Sequence, residues 1–138
     1  ALGLSQLKKI KKFLKYRKKV YEYYKSELYK YKNIINFPKY DLKNKPSYHL
    51  VLININFKRL RSNKNLFLKY LCSKNIICQF HYIPIYKFAL YKNKKIKLKS
   101  SEEYYNSTLS IPIYHKFDRK KQNMVIKNIK NFIIKKKI

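Results

Sequence analysis

The chain has 138 residues, 46% of them hydrophobic, and a formal net charge of +29. That length fits one domain with a modest core, and the hydrophobic content excludes a disordered chain despite the charge. A single glycine, Gly3, excludes a Gly-rich phosphate loop.

Net charge this high suggests a binder of nucleic acid or of an acidic surface. The residue types argue otherwise. Only Arg17, Arg59, Arg61 and Arg119 are arginines, and arginine is the usual bidentate reader of phosphate and guanine. Lys, Asn, Ile, Tyr and Phe are in excess, and A/T-rich codons encode all five. Codon bias accounts for the lysines without a polyanionic partner. A basic module without catalysis remains the rival reading.

In chain order, Leu7, Ile10, Leu14, Arg17, Tyr21, Tyr24, Leu28 and Tyr31 recur at spacings of three and four. This predicts one long helix at the front of the chain. Pro38 and Pro46 bracket a loop containing Asp41, Lys43, Asn44 and Lys45. The run from Tyr48 to Phe57 reads as a strand, with Asn54 and Asn56 on a polar face. Ser62 is placed to cap a helix over 63–74, with Leu66, Phe67, Tyr70 and Leu71 inward. Asn75 stands where a helix often ends in the left-handed conformation. A second strand is expected from Ile76 to Tyr82.

The stretch from Lys87 to Lys99 is basic and irregular. Ser100 and Glu103 have capping-box spacing before a short helix through Ser107. Leu109 to Ile113 reads as a short strand closed by Pro112. Asp118 is positioned to cap a last helix whose inward face carries Val125, Ile129, Phe132 and Ile133. Lys135 to Lys137 suit its C-terminal end. The order of elements predicts an α/β chain of the α+β kind. Its small, mainly antiparallel sheet carries helices on one face.

Chemistry-bearing residues are few. Cys72 and Cys78 read as free, buried thiols of a reducing compartment, and they form no zinc site. The histidines are His49, His81 and His115, and the six carboxylates supply neither a nucleophilic triad nor a two-carboxylate hydrolase. No apolar run is long enough to span a membrane. The start at Ala1, inside a helical pattern, suggests a segment of a longer protein or a processed start. The stretch "QFHY", Gln79 to Tyr82, is unusual because polar groups close an apolar strand just before Pro84.

"ALGLSQL", "HYIPIY" and "SSEEYYNSTLSIPIY" followed by a final helix resemble the C-terminal part of the DegT/DnrJ/EryC1/StrS sugar aminotransferases. The resemblance covers nearly the whole chain. It implies the small C-terminal domain of a fold-type I pyridoxal-phosphate enzyme, with residues 1–36 as connecting helix and residues 37–138 as the small domain. The large cofactor-binding domain and its Schiff-base lysine are absent from this sequence. Asn75 departs from the glycine frequent in the family. The resemblance further implies amino transfer from an amino acid, glutamate in the family, to C4 of a UDP-linked 4-keto-6-deoxy-N-acetylhexosamine. The implied setting is a cytoplasmic homodimer, with no specific nucleic acid and no membrane. Gln79, Phe80, His81 and Tyr82 are implied to face the nucleotide sugar. No catalytic, cofactor-binding or metal-ligating residue is expected in this segment.

Overall fold

The computed structural model describes residues 1–40, 43–44, 46–91, 96 and 98–137. Among these residues, five α-helices, α1 (Leu2–Leu7), α2 (Ile10–Leu28), α3 (Lys64–Cys72), α4 (Lys99–Ser107) and α5 (Arg119–Lys137), accompany four short strands, β1 (Ile35–Asn36), β2 (Val51–Ile55), β3 (Gln79–Phe80) and β4 (Thr108–Ile111). The strands form one antiparallel sheet in the order β1-β2-β4-β3.

Alternation along the strands builds the core. Val51, Ile53 and Ile55 are buried on one face of β2, and Leu109 and Ile111 lie opposite Ile53 and Val51 on β4. Val20, Tyr24 and Leu28 of α2, Phe67 and Leu71 of α3, and Val125, Ile129 and Ile133 of α5 complete the same cluster. Phe67 meets Phe132 edge to face, with ring centroids 4.9 Å apart, a geometry favourable to aromatic pairs.

Tyrosine hydroxyls tie α2 to the end of the fold. Tyr16 donates to the Phe117 carbonyl (2.6 Å), Tyr24 to the Pro112 carbonyl (3.0 Å), and Tyr23 to Asn123 Oδ1 (2.6 Å). Gln122, buried on α5, donates to the Val20 carbonyl at 2.7 Å.

The last helix follows its sequence signals. Asp118 accepts from the Lys121 backbone N–H at 2.8 Å, and the four expected apolar positions are buried. Asn75 adopts φ 56°. Its N–H reaches the Cys72 carbonyl and that of Ile76 the Leu71 carbonyl, the paired closure of a Schellman turn.

Other elements differ from expectation. The long first helix is interrupted between Leu7 and Ile10, and Leu7 and Ile10 are exposed. Their apolar face has no partner within the described residues, so only the part of the stripe from Tyr21 onward enters the core. Asn63, not Ser62, caps α3 by accepting from the Leu66 N–H, and Leu66 itself is exposed. The Ser62 hydroxyl is buried without a hydrogen-bond partner. Ser100 and Glu103 form no capping box, because α4 starts at Lys99 after Leu98 and has no side-chain cap. Ser100 is therefore already inside the helix.

The strand expected over 76–82 pairs only at Gln79 and Phe80, and β1 lacks a sequence signal of its own. The strand expected over 109–113 is shifted to Thr108–Ile111. The stretch expected to be irregular from Lys87 is entered through a 3-10 turn at Ile85–Lys87 and contains a second at Ala89–Tyr91. Asp41 and Lys45 of the first loop lie outside the described residues. Both cysteines are free, but Cys72 is exposed, and burial pushes the Cys78 thiol up to about 12.

Candidate functional site

The stretch from Gln79 to Tyr82 lies along the sheet's edge, where β3 pairs only with β4. Strand alternation separates its side chains. Gln79 stands opposite Ser110 and Phe80 opposite Leu109. Gln79 and His81 therefore share the face that carries Leu52, Asn54, Thr108 and Ser110, while Phe80 turns to the core side.

That second face is polar and hydrogen-bonded. His81 is buried, and its Nε2 shares a 2.9 Å hydrogen bond with the Ser110 hydroxyl. Burial, and secondarily the nearby His49 imidazole, lower the His81 pKa from its ordinary value of 6.5, so the ring is neutral at pH 7. Asn54 Nδ2 donates to Ser107 Oγ at 2.6 Å and to Thr108 Oγ1 at 3.1 Å. These bonds join β2 to the junction between α4 and β4.

The four expected residues thus have different surroundings. Tyr82 is 74% exposed and packs edge-on against His81, with ring centroids 4.8 Å apart. Gln79 is exposed and lines a cavity of about 520 Å³ that also touches His49 and Ser110. Phe80 is half-exposed, with the Lys64 ammonium 5.3 Å from its ring centroid. Only His81 is withdrawn from solvent. A neutral imidazole anchored to β4 can orient Tyr82, and an exposed phenol and amide can bind a hydroxyl-rich ligand.

Sequence reasoning did not single out Ser110 or Lys64, and it gave His49 no role beyond the list of histidines. Ser110 carried a weak signal as a polar residue inside a short apolar strand. Lys64 carried none. It is buried, its ammonium donates to the Tyr105 carbonyl in the last turn of α4, and it lies 3.7 Å over the Tyr105 ring. Burial lowers its pKa. Positive charge at a helix C-terminus is favourable, so Lys64 holds α3 to α4. Among the described residues, no three His, Cys, Asp or Glu side chains come together to hold a metal.

The sequence profile of the DegT/DnrJ/EryC1/StrS aminotransferase family matches residues 1–130. The chain belongs to this family. A UDP-4-amino-4,6-dideoxy-N-acetyl-beta-L-altrosamine transaminase of Campylobacter jejuni is 30% identical over 129 residues, covering 91% of this chain and 33% of the relative. The Helicobacter pylori transaminase of the same name is 35% identical over 117 residues, covering 83% and 30%. Among solved structures, Helicobacter pylori PseC, an aminotransferase involved in the biosynthesis of pseudoaminic acid, superimposes with a TM-score of 0.85 at 29% identity, covering 97% of this chain and 36% of that one. The sugar aminotransferase Spr1654 of Streptococcus pneumoniae, in its PLP form, shares the fold with a TM-score of 0.80 at 20% identity, covering 98% and 35%. The chain spans about a third of the length of these family members.

Proposed function

We propose that this chain is the small C-terminal domain of a pyridoxal-phosphate-dependent nucleotide-sugar aminotransferase. The parent enzyme transfers an amino group from L-glutamate to C4 of a UDP-4-keto-6-deoxy-N-acetylhexosamine, as a cytoplasmic homodimer. The observation that carries this reading is the family match over residues 1–130, with relatives named as transaminases of a UDP-linked amino sugar. In this reading the residues present do not hold pyridoxal phosphate. Lys64, the one buried lysine among the described residues, has its ammonium committed to the Tyr105 carbonyl. The cofactor belongs to the large domain of the parent.

In this reading the segment contributes to sugar binding. Tyr82 and Gln79 are the exposed hydrogen-bonding groups, and His81 positions Tyr82 from beneath. Losing one hydrogen bond to the sugar nucleotide costs about 0.5–3 kcal/mol, depending on the charge of the group bound. In the enzyme encoded by the complete reading frame, Tyr82→Phe or His81→Ala should raise the KM for the keto sugar roughly two- to hundredfold. The cofactor absorbance and the half-reaction with glutamate should change little. Steady-state kinetics beside a cofactor titration test this. Loss of cofactor with unchanged sugar binding would show that the strand is misplaced, and no amino transfer by the unsubstituted enzyme would remove the reading altogether.

A further inference from the structure

The cavity beside Gln79 opens at the end of the sheet where β2 begins and β4 runs out toward α5. Its volume of about 520 Å³ is that of a small-molecule site. Ile76, Ile111, Phe117 and Val125 line it as buried apolar groups. Tyr114 and Phe117, with ring centroids 4.7 Å apart, form an aromatic wall.

The polar lining is one-sided in charge. His49, Gln79 and Lys121 supply donors, and among the described residues no carboxylate lines the cavity. His49 meets Ser47 Oγ through Nδ1 at 3.1 Å, which leaves Nε2 for a ligand. The Lys121 ammonium stands 5.9 Å from the Tyr114 ring centroid. Asp118, 3.9 Å from that ammonium, already caps α5. This long, exposed ion pair is weak and leaves Lys121 able to turn to another anion.

We propose that this cavity is a binding site for a small carboxylate with a flat apolar body. The apolar lining and aromatic wall accept the body, and Lys121 and His49 match the carboxylate oxygens. The cavity adjoins the proposed sugar site, sharing Gln79 and touching Ser110, the hydrogen-bond partner of His81, but the proposal rests on the cavity's own lining and not on the aminotransferase reading.

Titration of the full chain, labelled at its Ile and Met methyls, with benzoate, benzyl alcohol and acetate tests it. Benzoate should shift the methyl resonances of Ile76, Ile111 and Met124 saturably. Benzyl alcohol should bind more weakly, and acetate should leave these methyls unmoved. Lys121→Ala should weaken benzoate roughly two- to fivefold, the range for a solvent-facing ion pair, and leave benzyl alcohol unchanged. Met124→Glu, which sets a negative charge at the lining, should weaken benzoate further. Lys121 and Met124 are both exposed, so neither substitution threatens the core. Silent methyls, equal binding of the alcohol, or indifference to Lys121→Ala would each overturn the assignment.

Discussion

His81 is the residue whose chemistry depends most on its surroundings. Its folded pKa lies below the unfolded 6.5 because the charged ring would be desolvated and would face His49. Below pH 6.5 the unfolded chain therefore binds more protons at this position than the folded one, and stability falls as the pH drops toward the folded value. Urea midpoints at pH 7.5 and 5.5 should show a loss that is smaller in His81→Asn, which keeps a donor for Ser110 but does not titrate. An equal loss in both proteins would assign the effect elsewhere. Asn63 gives a simpler test. Removing its cap with Asn63→Ala should cost about 1 kcal/mol, a fall in Tm of roughly 4 °C for a domain of this size, whereas Ser62→Ala should lose no cap.

At the scale of elements, the weight falls on how α2 is held to the end of β4 and to α5. Tyr24 is fully buried, and burial raises its hydroxyl pKa, so at neutral pH it is only a donor to the Pro112 carbonyl. Tyr24→Phe keeps the ring in place and leaves that carbonyl without its partner. The expected cost is about 1–3 kcal/mol, read as a lower urea midpoint at unchanged slope. The half-buried ion pair of Lys130 with Glu27, at 2.8 Å, joins α2 to α5. Its removal by Glu27→Gln should cost less than about 1 kcal/mol and should shrink as salt is added. A larger cost for Glu27→Gln than for Tyr24→Phe would mean that the ion pair to α5, not the buried hydroxyl bonded beyond β4, does more to fix α2.

For the whole molecule, the net charge of +29 makes self-repulsion a real term against the compact state. The Debye length falls from about 30 Å at 0.01 M salt to about 8 Å at 0.15 M. The Tm should rise over that interval, and a flat salt dependence would show that the lysines are already well separated. The same charge implies weak DNA binding that is indifferent to sequence and collapses as salt approaches physiological strength. Two unrelated duplexes titrated in parallel check this, and a preference for one that persists at physiological salt would favour the rival basic module.

The sequence by itself determined the features that rest on neighbours a few residues away. Asp118 needs only the Lys121 N–H, the left-handed Asn75 needs only the turn before it, and the inward face of α5 is a matter of helical period. The "HYIPIY" and "ALGLSQL" motifs also sufficed for the family. Tertiary structure alone decided the rest. The two-residue β1 exists because Ile35 and Asn36 meet Ile55 and Asn54 of β2. Leu7 and Ile10 are exposed, whereas Tyr21 is buried against Phe37 and Tyr48 and Tyr24 reaches Pro112, partners far along the chain. The candidate site was legible as a stretch but not as an arrangement. Gln79, Phe80, His81 and Tyr82 read alike as a polar strand end. Pairing with β4 sends Phe80 to one face and binds His81 to Ser110, 29 residues away, leaving Tyr82 and Gln79 outside. Short-range signals carry caps and periods, whereas strand register forms only when distant segments pair, and no local pattern encodes that partner.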